Sequence, residues 1–438
     1  MDVIEQTTVA KVTRRIIPFL MLCYFFCYLD RVNVSFAALE MNKDLGLSAS
    51  VFGFGAGILF LTYGLLEVPS NVMTVRVGPR RWLGRIMISW GIVAAATMFV
   101  SGEKSFYAMR VLLGVTEAGF FPAAIYFMST WFPGTYRARM IAFFMCTSPI
   151  AAAIGAPMST SLLALDGLGG LHGWQWMFLV EGLPPVLLGI FTLFSLPEKP
   201  AEAGWLAPEQ RQWLAARLAR EEQQREAREP SLTGWQTAMN PRVLALGLVS
   251  FCNNSLQFGI GFFLPQIVKG FGLTNTQTGW LLIVPPAMGA VAMLYWGRRS
   301  DAKMERRKHI IAALLVAAFG TAVAAIAPNP IVKVIGFTIS QMGMFASFPI
   351  FIGLPSSFLK TGMSAAVGIA LINTIGSLGA FSAPWMVGLI KDATGDVQIA
   401  LLILAGLAVV GAAINWLIGD HSSLEGAPTT VPAAGPAE

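Results

Sequence analysis

Residues 16–41 read IIPFLMLCYFFCYLDRVNVSFAALEM. Uncharged residues run unbroken from Ile16 to Leu29, and then Asp30 and Arg31 stand side by side. The segment has the length, about 20 residues, that a helix needs to cross the hydrocarbon of a bilayer. A charged side chain at mid-membrane costs roughly 2.5–3.5 kcal/mol on insertion scales. Two such charges in one span need partners, and the search for partners leads to function.

The pattern repeats along the chain. Its 438 residues are 55% apolar and 12% charged, where an ordinary globular protein carries about 25% charged residues. Apolar windows predict twelve spans, at 16–39, 51–74, 82–101, 106–131, 138–164, 174–196, 243–267, 278–297, 309–327, 331–356, 364–390 and 398–419. Lipid offers no partner to an open strand edge, so helices are required. The expected fold class is an all-α membrane protein. MDVIEQTTVAKVTRR at the N-terminus is polar and has no signal-peptide pattern, so the first span is expected to follow it directly.

Of the 30 Lys and Arg residues, 23 fall in the N-terminal tail and after the even-numbered spans. The positive-inside rule then places both termini and those loops in the cytoplasm, and a bacterial inner membrane is expected. The net charge of +6 is explained by topology, so no nucleic-acid partner is inferred. Cys23, Cys27, Cys146 and Cys252 all lie in spans and read as small hydrophobes. His172, His309 and His421 fall at loops or span ends. No metal-ligand cluster, nucleophile–His pairing or phosphate loop is present. An enzyme is not expected, nor any cofactor beyond protons as coupling ion.

Two sets of six spans are separated by a charged stretch. Residues 1–196 are expected to form one six-helix bundle and 241–420 the other. Between them, 197–240 holds LAPEQRQWLAARLAREEQQREAREP, with Trp213, Leu214 and Leu218 at helical spacing, an amphipathic cytoplasmic linker. Residues 421–438 read as a disordered tail. The halves echo each other: RVGPRRW after span 2 matches GRRSDAKMERRKH after span 8. Internal repeats are characteristic of secondary transporters, whose substrate site lies at the repeat interface. Glu67, Arg76, Arg80, Arg81 and Asp301 are candidates for a cytoplasmic gate, with Glu67 expected near Arg76.

Acidic residues within spans occur only in the first half, as Asp30, Glu67, Glu117 and Glu181, and, apart from Arg85 and Arg139 at the cytoplasmic ends of their spans, span-embedded arginine occurs only as Arg31 and Arg110. The second half supplies neutral polar groups, including Asn254, Gln257, Asn373 and Ser377. Arg110 and Glu117 share a helical face two turns apart, and Asn33 shares the face of Asp30. Charges buried in a membrane mark ion and substrate paths. Asp30 and Glu117 are the candidate proton-coupling acids, and Arg31 and Arg110 the candidate anion holders, since a guanidinium offers paired donors to a carboxylate. The competing reading is that these charges only staple helices. Glu181, before Pro184 and Pro185, reads as a packing residue.

DRVNVSFA, RVGPRRW, RVLLGVTEAGFFPA with WFPGTYRAR, GWQWMFLVEGLP, FFLPQI and INTIGSLGAF together resemble the anion:cation symporter family of the major facilitator superfamily. The resemblance implies two pseudo-symmetric six-helix bundles, alternating access and proton-coupled uptake of organic anions. It implies proton-linked roles for Asp30 and Glu117, a carboxylate contact for Arg31, and a substrate site lined by Tyr28, Tyr63 and Asn373. Three positions depart from the pattern: Val75 replaces the acid before the basic-turn arginine, Ile352 replaces a Trp, and Ser377 replaces an Asn. VGPRRW and ALDGLGGLHGWQWMFLVEGLP most resemble the branch that includes 4-hydroxyphenylacetate and phthalate permeases, with tartrate and sugar-acid carriers close behind.

The expectation is a monomeric symporter that imports a small organic carboxylate, an aromatic acid first and tartrate or a sugar acid second. A uniporter, a drug exporter on the same scaffold and a carboxylate sensor that moves nothing are the alternatives of other classes.

Overall fold

The computed structural model describes residues 3–226, 239–303, 305–354 and 363–418. The expected tail at 421–438 and the linker stretch 227–238 lie outside the described residues. Among the described residues there is no strand. Twelve helices are long and apolar enough to span a membrane: α1 (Val3–Ala37), α2 (Ala49–Val77), α3 (Pro79–Phe99), α4 (Glu103–Ser129), α5 (Gly134–Leu163), α6 (Gly173–Ser195), α7 (Pro241–Lys269), α8 (Asn275–Lys303), α9 (Arg307–Ile326), α10 (Pro330–Ile352), α11 (Val367–Thr394) and α12 (Gln398–Leu417).

The polarity of the molecule is that of a protein in lipid. Leu65, Leu187, Phe194, Phe319 and Leu417 point outward, while Asp30, Asn33, Arg110, Glu117, Ser159 and Glu181 are buried. Lipid tails are as apolar as leucine, so outward-facing leucine costs nothing there, and helices associate through close packing and hydrogen bonds.

Several helices outrun the expected spans. α1 starts at Val3 rather than near residue 16, and α8 runs to Lys303 rather than ending at residue 297. Polar residues mark where lipid contact stops, and the backbone ladder continues past that point. The extra turns of α1 are held by the linker region. Arg15 lies over the Trp205 ring at 5.6 Å, and Trp205 stacks on Trp131 at 5.7 Å. The amphipathic helix expected there spans Pro208–Glu226. It buries Leu214, and the Gly134 amide donates to its Glu221 at 3.0 Å. The described linker therefore packs on the first bundle.

Two seams join the bundles. α2 lies so close to α11 that a Cβ on Gly53 would collide with the Pro384 carbonyl, and one on Gly388 with that of Ala49. α5 meets α8 where Gly279 faces Thr160. The end of the molecule remote from the linker is further tied by polar contacts. Both oxygens of Asp392, near the end of α11, accept from the free first-turn amides of α2, Ala49 at 3.0 Å and Ser50 at 2.8 Å. The positive end of a helix favours a carboxylate in this position. Asn275 of α8 donates to Glu40, in the loop after α1, at 2.5 Å. Burial pushes the Glu40 carboxyl above its ordinary range, against the opposing pull of that hydrogen bond.

Removing a carboxylate from a helix N-terminus costs about 0.5–2 kcal/mol, and tenfold in an equilibrium is about 1.4 kcal/mol. Asp392→Ala is therefore expected to speed amide exchange in the first turns of α2 by about 2- to 30-fold, as read by mass spectrometry. Unchanged exchange would show that the contact does not hold the seam.

Candidate functional site

α4 is interrupted where its acid sits. One helical piece ends at Glu117 and the next begins at Phe120. Gly119 occupies the left-handed region at φ 87°, and a Cβ there would strike Ser70. The freed Ala118 carbonyl accepts from the Ser70 hydroxyl at 2.7 Å, and Trp82 donates to that hydroxyl at 2.9 Å. Broken helices with re-satisfied backbone groups are how membrane transporters place polar chemistry near the bilayer centre.

Glu117 is fully buried. Arg31 Nε donates to its Oε1 at 2.5 Å, and the Cys27 thiol reaches the same oxygen at 3.3 Å. Glu117 Oε2 and a terminal nitrogen of Arg31 have no hydrogen-bond partner. The Arg31 guanidinium sits 4.7 Å over the Tyr63 ring of α2, a favourable cation–π geometry. Asp30, one residue back and turned about 100° away, points to the other side of α1, where Asn33 donates to it at 3.3 Å.

Arg110 behaves differently from the expectation of an anion holder. It is 1% exposed and donates to the backbone carbonyls of Gly55 and Ala56 in α2, at 3.3 and 3.4 Å. Gly114 lets α4 lie directly on α2, and that close approach directs the guanidinium into the α2 backbone. The fields of Asp30 and Glu117 reach it. Arg110 is thus a charge-balancing clamp between α2 and α4.

A cavity of about 70 Å³ lies between the bundles, walled by Tyr28, Val32 and Ser35 of α1, Gln257 and Phe258 of α7, and Gln341 of α10. Tyr28 and Gln257 both line it, one from each bundle. Arg31 is not among the lining residues, but it stands one helical turn from Tyr28 and Ser35, which are. A groove lined by Val291, Leu294, Tyr295, Arg298 and Arg299 lies along α8 alone, away from these groups.

The other predicted residues divide between seams. Asn373 of α11 donates to Glu67 of α2 at 2.9 Å, and Ser377 packs on Gly64. Asn254 of α7 packs against Gly376. Glu67 is not beside Arg76, which is exposed. Nine residues along a helix amount to two and a half turns, so the two side chains leave opposite faces. Arg80 is ion-paired with Glu198 at 3.3 Å and donates to the Leu196 carbonyl at 3.2 Å, which ties the α2–α3 turn to the end of α6. Arg81 and Asp301 are exposed. The five gate candidates therefore do not converge, and only Glu67 crosses between bundles. Beyond α11, a layer of Met145, Met293 and Phe345 joins α5, α8 and α10.

Three participants escaped the sequence reading. Cys27 is one turn before Arg31, and its thiol belongs to the charge cluster. Ser159 donates to Glu181 at 2.7 Å, and Asn33 is within hydrogen-bonding reach of both Glu181 and Asp30. The i, i+3 spacing of Asp30 and Asn33 was the one signal in the sequence, while the α1–α6 contact was not readable.

Truncating one member of a buried charge network leaves the others uncompensated, at about 3–5 kcal/mol. Arg110→Ala is expected to lose most of its folded, monodisperse protein in detergent, because it also strips a donor from two α2 carbonyls, whereas Arg31→Ala leaves a carboxylate, Glu117, that regains neutrality by taking a proton, and is expected to stay folded. Size-exclusion profiles compare the two.

The Major Facilitator Superfamily profile matches residues 20–384. A protein of Agrobacterium vitis named as a tartrate transporter is 44% identical over 419 residues, covering 96% of this chain and 93% of that protein. A quinolone resistance transporter of Acinetobacter baumannii is 35% identical, covering 94% of this chain and 95% of that protein. Among solved structures, an inward-facing, occupied bacterial homologue of the human lysosomal transporter Spinster superposes with a TM-score of 0.75 at 15% identity, covering 94% of this chain and 98% of that one. The chain belongs to the Major Facilitator Superfamily, and it is a membrane transporter, not an enzyme.

Proposed function

We propose that the protein imports a small hydroxylated carboxylate of the tartrate class together with protons, across a bacterial inner membrane, with the linker end in the cytoplasm. The observation that carries this reading is the half-satisfied Arg31, whose Nε is held by Glu117 while a terminal nitrogen is buried without a partner, one helical turn from the Tyr28 and Ser35 that line the interbundle cavity.

A buried guanidinium cannot be left without a counter-charge. When Glu117 takes a proton, Arg31 is free to turn its paired donors to a cargo carboxylate. When the cargo leaves and the proton departs, Glu117 recaptures Arg31. Proton and cargo thus load together and unload together. Tyr28, Gln257, Tyr63 and Asn373 supply hydrogen-bonding groups for cargo hydroxyls on the facing walls. The relatives' names shift the substrate class from aromatic acids, favoured by the local sequence likeness, to tartrate. The membrane potential opposes each inward negative charge by about 2.3 kcal/mol per 100 mV. A dianion therefore needs two protons to enter without that opposition, and Asp30 and Glu117 are the two acids available.

The relative named for quinolone resistance supports a second reading, export of a carboxylate-bearing drug through the same cavity. Vesicles with an imposed pH gradient of either sign separate uptake from export.

In proteoliposomes the parent is expected to accumulate tartrate when the outside is acid, and an uncoupler is expected to abolish the accumulation. Glu117→Gln and Asp30→Asn are expected to lose uphill accumulation by at least tenfold, while Glu117→Gln retains exchange between two loaded sides. Arg31→Ala is expected to lose binding while remaining folded. Equal accumulation by parent and Glu117→Gln would sink the coupling role. A thermal-shift screen of tartrate, sugar acids and aromatic acids identifies the cargo, since a ligand of the folded form raises its stability.

A further inference from the structure

We infer that Asp30, Asn33 and Glu181 form a second proton-binding site, separate from the Arg31–Glu117 pair, and that its proton resides on Glu181.

The first ground is a count of donors and acceptors. Glu181 is 1% exposed, Asp30 1% and Asn33 1%. Glu181 Oε1 accepts from Ser159 at 2.7 Å, and Asp30 Oδ1 accepts from the Asn33 amide at 3.3 Å. Three buried oxygens remain without a donor, namely Asp30 Oδ2, Asn33 Oδ1 and Glu181 Oε2. A buried acceptor without a donor costs about 1–3 kcal/mol, and more when charged. One proton changes the count. Placed on Glu181 Oε2, it turns an orphaned buried acceptor into a donor, in a cluster that still holds two acceptors lacking one.

The second ground is charge. The buried cluster holds the acids Asp30, Glu117 and Glu181 against the cations Arg31 and Arg110. Glu117 has Arg31 in direct contact. Asp30 lies in the opposing fields of Glu117 and of the two arginines, Arg110 and Arg31, and holds a hydrogen bond from Asn33. Around Glu181, α1 presents Asp30 and Asn33, α5 presents Ser159, and α3 presents the small residues Gly91 and Ala95. The charged group whose field reaches Glu181 is Asp30, itself an acid. An ionised carboxylate there would be desolvated with no cation. The surplus acid is the one that keeps its proton.

This site does a specific job in the cycle. A neutral Glu181 does not compete as an anion for the Asn33 amide, so Asp30 keeps that hydrogen bond while Arg31 changes partners. The inference extends the coupling reading, but its test reports protonation and not flux, so a failure of proton symport would leave the result below intact.

The test is the infrared carboxyl region of full-length protein in lipid at neutral pH. Parent protein is expected to show a neutral-carboxyl C=O band that Glu181→Gln loses and Asp30→Asn keeps. Ser159→Ala is expected to shift that band, because a hydroxyl donor to its carbonyl is gone. The inference is overturned if folded Glu181→Gln retains the band, or if only Asp30→Asn removes it. Should Glu181→Gln not fold, an unmoved band in Ser159→Ala overturns it as well. A band removed by sodium chloride but not by choline chloride at constant pH would overturn a proton in favour of a metal cation.

Discussion

The arrangement depends on one constraint: a guanidinium inside a low-dielectric protein must have a counter-charge in every state of the cycle. Arg31 meets it through Glu117 while the interbundle cavity is closed. The same constraint explains why α4 breaks at Glu117. An unbroken helix would carry the carboxylate rigidly with the rest of α4, whereas the turn at Ala118 and Gly119 anchors it separately to α2 through Ser70. The acid is thereby set by α1, α2 and α4 together. A change in its protonation is felt by all three.

The uneven distribution of charge between the bundles follows from the same requirement. The first bundle contains the buried ions and the second contributes amides, hydroxyls and aromatic rings to the shared seams. Ions packed within one rigid bundle keep their partners while the bundles rock. Had Asp30 and Arg110 been divided between bundles, each excursion would have separated them at a cost of several kcal/mol. What crosses between bundles away from the Asp392 end is easier to break and remake: the Glu67–Asn373 hydrogen bond and packing against glycine.

Apolar length made the twelve spans legible in the sequence, and their centres agree with the helices found. Their ends were misjudged at Val3 and Lys303 because solvation and helicity end at different places. The importance of Asp30, Arg31 and Glu117 was legible because an ion in a lipid span is too costly to keep without a partner or a path to serve. Their partners were not legible. Helical spacing tells which residues share a face of one helix, and says nothing of which face meets which neighbour. Glu67 was assigned to Arg76 by nearness in the chain and in fact meets Asn373, 306 residues away. Arg110 was assigned to cargo by chemistry and is bound instead to backbone carbonyls. Glu181 was assigned to packing because the prolines beside it drew the eye to the backbone, and the α1–α6 contact that gives it Asn33 has no sequence signature.

The two ends of the molecule are closed by different physics. At the end remote from the linker, Asp392 caps α2 with both oxygens, Asn275 binds Glu40, and glycines bring α2 and α11 into backbone contact. Toward the linker, the described contacts between α5, α8 and α10 are a layer of methionine and phenylalanine. Methionine side chains are flexible and repack at little cost, whereas a carboxylate on a helix N-terminus has one good geometry. Val75, 62% exposed, stands where the superfamily's basic turn usually carries an acid, and a valine cannot act there as Asp392 does at the other end. The Glu67–Asn373 hydrogen bond also crosses in the linker-side half, but it is a single bond to a neutral amide, so the balance of contacts favours opening toward the linker. A carrier resting in that state releases cargo readily into the compartment it faces, and needs loading energy to close again. Return of the bundles, against the capped end, is the step on which such a cycle would wait.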